Sequence, residues 1–355
     1  MSALALLLLF TACGDAGDAK ESGAIDTNST TDSYKPPDPE ALFVAVGDGL
    51  SAALVSVWGS SATDVWVGGA RDVAGALVYH YDGTSWTRLD TTGLNWDVWW
   101  LWGDGAGTLF MAGSQGNVAR VDIATSTITT EVLGDAAYTY FGTWGTSAND
   151  VWAVGGDILG DLPGAIYHFD GVAWSLAANA STRSDGVSQR DAFKVWGRSA
   201  TDVFVVGTGS LTMHWDGSAW SDIDSPIDES VTLFTVAGDG ASAIAVGGAS
   251  NGQAQTMTDT TAALASPTPD QIAPGFLGVY DREGMDPVAS GNNGSIWWYR
   301  TGVWAKDTRA SATFRGLHAV WVDPGGGLWA VGGDLNALTD GVVVYAGADS
   351  VPVIE

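Results

Sequence analysis

Seven times along this chain, at intervals of 41 to 52 residues, one short hairpin recurs. Three copies display it well: Val57-Trp58-Gly59-Ser60-Ser61-Ala62-Thr63-Asp64-Val65-Trp66, Thr143-Trp144-Gly145-Thr146-Ser147-Ala148-Asn149-Asp150-Val151-Trp152 and Val195-Trp196-Gly197-Arg198-Ser199-Ala200-Thr201-Asp202-Val203-Phe204. A repeat of this length whose unit reads as four short strands stacks blades of antiparallel sheet around a common axis. The fold class it implies is all-β: a seven-bladed β-propeller of four-stranded antiparallel blades.

The Trp-Gly position at the end of the first strand marks each blade. It falls at Trp58, Trp102, Trp144 and Trp196, degenerates to Ala237 and Tyr280, and returns at Trp321. The spacings are 44, 42, 52, 41, 43 and 41 residues. Six or eight blades stay open as alternatives. In the first blade, strand A reads as Leu54 to Trp58, strand B as Asp64 to Gly68, strand C as Leu77 to Tyr81 and strand D from Trp86 to Leu89. The Asp82-Gly83 pair between C and D signals a type I′ hairpin, in which both central residues need positive φ. The same hairpin recurs before Trp174 and Trp220. Blade five, from about Leu233 to Pro267, is the poorest copy. The stretch Leu42 to Val46 precedes the first mark and has no blade of its own. It is expected to add to the last blade, beside Val342 to Tyr345 or Val351 to Ile354, closing the ring with both ends of the chain.

One closed ring absorbs most of the 355 residues. Twelve of the 18 tryptophans occupy repeat positions and read as packing between blades. A formal charge of −27, with only 14 scattered Lys and Arg, argues against nucleic acid as a partner.

At the N-terminus, Leu4 to Phe10 is too short to cross a bilayer but fits the apolar core of a signal peptide. It runs into Thr11-Ala12-Cys13-Gly14, which resembles a bacterial lipobox. The resemblance implies cleavage before Cys13 and acylation of that cysteine. The expected layout is residues 1–12 as signal peptide, 13–40 as acylated cysteine and tether, and 41–355 as propeller. Residues 14–40 hold too little apolar bulk to offset the entropy of ordering them. Cys13 is the only cysteine, so no intramolecular disulfide can form.

Asp64, Asp150 and Asp202, just before strand B, are expected to bond backbone N–H groups of their loops. His80, His168 and His214 occupy one equivalent position in three blades, too far apart to share a metal. Each is expected to donate to a backbone carbonyl. No cofactor is expected, although calcium stays open, because carbonyl ligands are invisible in a sequence. Neither Gly-x-Ser-x-Gly nor His-Glu-x-x-His occurs, so nothing marks a catalytic set.

The repeats resemble those of bacterial secreted propellers named BNR or Asp-box proteins. The turn Asp82-Gly83-Thr84-Ser85-Trp86 departs from the Ser-x-Asp-x-Gly-x-x-Trp of a true Asp-box, so the resemblance implies a propeller and no hydrolase. Ser295-Ile296-Trp297-Trp298-Tyr299-Arg300-Thr301-Gly302-Val303-Trp304 is similar to strands of tectonin-type lectin propellers.

Function is read from where the repeats disagree. The A–B loops and C–D turns are nearly uniform and share one face. The B–C and D–A connections vary widely and share the other. B–C segments run from Gly207-Thr208-Gly209-Ser210 to the ten residues Gly155 to Gly164, and one D–A segment runs from Ala177 to Ala192. Variable loops on a rigid scaffold carry recognition. The candidate binding residues are Trp96 (flanked by Asn95 and Asp97), Arg71, Asp157, Asp161, Arg183 and Arg190. The expected function is a non-enzymatic lipoprotein, anchored to the outer membrane of a Gram-negative-type bacterium, whose variable face binds a protein. A monomer touching the membrane only through its lipid is expected. The alternatives are a lectin reading envelope glycans and a glycoside hydrolase or lyase of sialidase-like propeller type.

Overall fold

The computed structural model describes residues 35–158, 160–267 and 273–355. Cys13 and the signal peptide lie outside them. Twenty-eight strands form seven four-stranded antiparallel sheets, the seven-bladed propeller expected from the repeat. In blade one the strands are Leu54–Ser61, Asp64–Asp72, Gly75–Tyr81 and Trp86–Arg88, in the order A-B-C-D. Blade five keeps all four strands, Leu233–Gly238, Ala243–Gly247, Gln253–Met257 and Ala262–Leu264, because its buried apolar positions survive the loss of the motif.

The seventh blade is closed by the N-terminus. Strand Val44–Leu50 pairs antiparallel with Thr339–Ala346, Val44 opposite Tyr345 and Ala45 opposite Val344. The C-terminal tail caps the same edge, with the Ile354 amide donating to the Val46 carbonyl at 2.7 Å. Val46, Val343 and Ile354 are buried in one core with Trp321 and Trp329. Residues 35–40, assigned above to the tether, lie against the ring. The Lys35 amide bonds the Pro324 carbonyl, and the Arg309 guanidinium bonds the carbonyls of Asp38 and Ala41. Pro324 belongs to an A–B loop, so the chain enters on the face of uniform loops.

The Asp-Gly turns of blades one, three and four are not type I′. Gly83 has φ of 87°, but Asp82 does not share the positive φ. The Asp82 side chain instead accepts from the amides of Thr84 and Ser85, both at 2.8 Å, so a carboxylate organises a longer turn. Asp170 and Asp216 do the same in their blades.

The Trp-Gly pair has a reason that one blade alone does not display. A Cβ built on Gly103 would lie 2.4 Å from the ring of Trp58, the tryptophan of the preceding blade. The same relation joins Gly145 to Trp102, Gly197 to Trp144, Gly238 to Trp196 and Gly59 to Trp321. Each indole thus lies flush on the next blade's glycine, and the motif couples blades around the ring. Two seams lack the indole, and both lack the glycine too. Ala237 is followed one blade on by Asp281, and Tyr280 by Val322.

Asp281 therefore stands where five of the other six seams have glycine. It is 7% exposed, and its Oδ1 has no hydrogen-bond partner among the described residues. Burial, with the charges of Asp239 and Asp286, pushes its carboxyl up to about 8. The sign follows from linkage. The unfolded chain ionises near 3.8 while the folded protein keeps the proton, so stability falls as pH rises from 3.8 to about 8. Asp281→Asn is expected to leave stability unchanged at pH 4. Above pH 8 it should raise stability by several kcal/mol, at about 1.4 kcal/mol for each pH unit separating the folded and unfolded ionisations. Urea unfolding at the two pH values checks this, and equal gains at both would assign the effect to packing.

Candidate functional site

The aspartate that opens strand B sits two residues before an aromatic, so both side chains share a face. Cross-strand register places Trp66 opposite His80, Trp152 opposite His168 and Phe204 opposite His214. The imidazoles consequently meet the aspartates, and neither residue makes the backbone contact expected of it. His80 Nε2 lies 2.7 Å from Asp64 Oδ1, His168 2.6 Å from Asp150 and His214 2.9 Å from Asp202. The Ser60 and Thr146 hydroxyls donate to the same carboxylates of Asp64 and Asp150, and the Trp66 indole donates to Asp64. Burial raises the Asp64 carboxyl, and the bonds from His80 and Ser60 outweigh it, holding it below the ordinary value. In blades one and three the hydroxyl and the imidazole both bond the same carboxylate. Their role is to lock the A–B loop to strand C.

At the axis, strand A of each blade presents one residue at the end nearer the variable face: Val55, Trp99, Phe141, Phe193, Phe234, Leu277 and His318. The rings contact in series. Trp99 meets Phe141 at 5.3 Å, Phe141 stacks on Phe193 at 4.5 Å, and Phe193 meets Phe234 at 5.8 Å. Beneath them Lys194 is buried, its ammonium bonded to the Phe141 carbonyl and 4.0 Å from the centroid of the Trp100 ring. Burial pushes this amine down to about 7 and the His318 imidazole down to about 3. His318 Nδ1 donates to the Val55 carbonyl. A mainly apolar and aromatic ring of side chains thus lines the axis at this level.

The six candidate residues fall into two places. Trp96 is 5% exposed and packs in the core between blades one and two, its ring against Gly113. It is a core residue, not the exposed aromatic expected from its polar neighbours. Arg71 clamps the segment that carries it, its guanidinium donating to the Asn95 carbonyl at 2.6 Å and its amide to Asp97.

The other four gather between blades three and four. A cleft of about 570 Å³ on the variable face is lined by Asp157, Ile158, Asp161, Leu162, Arg183, Val187, Asp191 and Thr208 among others. Arg190 lies beside it, paired with Glu229, whose carboxylate also takes the amide and hydroxyl of Ser184. The Arg183 guanidinium donates to the Glu229 carbonyl. Asp185 folds the loop by accepting from the amides of Val187 and Ser188. The sequence reading missed Asp191, Ile158 and Val187. The signal was present in the spacing of 52 residues, the longest between marks. Its extra length lies in the two connections that wall the cleft.

All 18 tryptophans lie among the described residues and none is exposed. The tectonin-like stretch buries Trp297, Trp298 and Trp304 to 5% exposure or less.

No family model matches the chain, and no curated protein matches it. Solved structures of similar fold include YCF48 from Cyanidioschyzon merolae, at 15% identity and a TM-score of 0.64 over 88% of this chain and all of that one. A structure described as YCF48 bound to D1 peptide aligns with TM-score 0.60 and 14% identity over 88% of this chain and 99% of that one. The extracellular domain of the putative hybrid two component system BT4673 from B. thetaiotaomicron aligns over 88% of this chain and 40% of its own length, with TM-score 0.62 and 12% identity. At these identities the likeness is one of fold.

Proposed function

We propose that this propeller is a non-enzymatic binding module of the cell envelope that holds a protein partner on its variable face, in the cleft between blades three and four. One observation carries the reading: the longest departure from the repeat builds a cleft whose rim exposes Ile158 at 51% and Val187 at 76%, beside charged groups. Apolar side chains left open within a polar rim suit a protein hot spot. The YCF48 structure described as bound to a peptide supports the same use of this fold. The BT4673 domain, described as extracellular, supports a place outside the cytoplasm. Acylation at Cys13, which the lipobox-like sequence suggests, would hold the protein to a membrane by its N-terminus. The chain enters on the uniform face, so an anchor at Cys13 would leave the cleft on the side of the ring opposite the tether.

A photoreactive phenylalanine analogue placed at Val187 tests the reading in cells. A discrete cross-linked adduct is expected there. None is expected from the same substitution at Val172, which is 88% exposed on the opposite face. No adduct at Val187, or adducts at Val172 alone, would overturn it.

A further inference from the structure

The cleft holds more negative charge than it neutralises. Asp157, Asp161 and Asp191 line it, and none of the three forms an ion pair among the described residues. The half-buried Asp191 carboxylate has a long contact of 3.4 Å from the Thr208 hydroxyl. It lies hard against Gly156, where a Cβ would come within 2.1 Å of its Oδ1. Burial pushes this carboxyl above its ordinary value, and the neighbouring charge of Asp157 adds to the effect. Of the two arginines, Arg190 is spent on Glu229. That leaves Arg183, whose guanidinium donates to the Glu229 carbonyl, as the one arginine lining the cleft with three aspartates.

We propose that the cleft receives the cationic side chain of a lysine or arginine from the protein partner, bound between Asp157 and Asp191, while apolar neighbours in the same segment cover Ile158, Leu162 and Val187. The inference rests on the protein-binding reading above and names the chemistry of the partner. An acidic segment would meet three carboxylates and the field of a chain of charge −27. A divalent ion needs several oxygens converging on one point. The carboxylates of this cleft do not converge so closely. Among the described residues, only Asp202, His214 and Asp259 bring three such ligand atoms within 4.8 Å of one another, and the Arg198 guanidinium already pairs with both aspartates there. A cation on an alkyl stem fits the cleft better, since its methylenes can lie on the apolar wall while its head reaches the acids.

The test uses the full chain and three capped tripeptides, Leu-Lys-Leu, Leu-Arg-Leu and Leu-Glu-Leu, titrated by calorimetry at low salt and again with 0.5 M NaCl added as the screening condition, where the Debye length falls to about 4 Å. The basic peptides are expected to bind and the acidic one not to. The Asp157→Asn/Asp161→Asn/Asp191→Asn variant and the added salt should each weaken binding about tenfold or more. Equal affinity for Leu-Glu-Leu, or a triple variant that binds the basic peptides as well as the parent does, would overturn the inference. So would calcium chloride that binds the parent tightly and excludes the peptides, since the site would then be a metal site. If the Val187 adduct still forms with the triple variant at undiminished yield, the charge chemistry fails while the protein-binding reading stands. Loss of the adduct from the parent itself overturns both.

Discussion

A chain beginning at Ser51 is expected to be strongly destabilised. The strand it lacks, Val44–Leu50, is the fourth strand of blade seven and is supplied from the opposite end of the sequence. Without it, the Thr339–Ala346 strand becomes an unpaired edge exposing backbone donors and acceptors, a template for aggregation. The core around Trp321, Trp329 and Val343 also loses Val46 and Leu50, and Ile354 loses its backbone partner. Removing several apolar side chains from one core costs several kcal/mol, each kcal/mol lowering Tm by about 1.5 °C in a chain of this size. A fall of roughly 5 °C or more, or insolubility, is expected in thermal melts followed by circular dichroism. A synthetic peptide of residues 41–51 added in trans should recover part of the loss. An unchanged Tm would show that the ring is held shut by other contacts.

Gly103→Ala should be nearly as damaging despite adding a single methyl group. That methyl would lie 2.4 Å from the Trp58 ring, a distance that real Cβ contacts do not reach, so either the indole or the blade must move. A loss of about 3 kcal/mol is expected, near the upper range for overpacking. Trp58→Ala, which empties the same contact from the other side, should cost a similar amount. Combined, the two should cost at least about 1 kcal/mol less than their sum, because the methyl no longer meets an indole. The protein carries its own version of that double change at Ala237 and Asp281. Urea unfolding of the four chains measures the coupling, and simple additivity would rule out the ring-on-glycine contact as its cause.

The propeller was legible because its repeats state the strand order seven times, and because a stretch with no blade of its own, Leu42 to Val46, can pair only at the open seam. Less legible was anything decided between repeats. The glycine after Trp58, Trp102, Trp144 and Trp196 reads as a turn residue until the indole of the previous blade is placed on it. The aspartate–histidine pairs were within reach of the sequence, since the aspartate lies two residues from an aromatic whose cross-strand partner is the histidine. Reading the two residues in separate strands kept them apart. Trp96 misled because polar neighbours in sequence, Asn95 and Asp97, do not fix burial where an irregular connection turns its side chain inward. Asp157, Asp161 and Arg183 were found by loop length, but their convergence with Asp191 depends on how two connections fold over one seam.

The two faces also define a mechanical axis. The chain enters beside Pro324 on one face, runs through the blade-seven closing strand, and emerges at Leu50 toward the other. A pull between the N-terminus and a partner seated in the cleft is therefore directed along that strand, across the hydrogen bonds that join it to Thr339–Ala346. Those bonds bear the load together in shear and do not open one at a time. The element that closes the ring is also the one placed to carry tension through it.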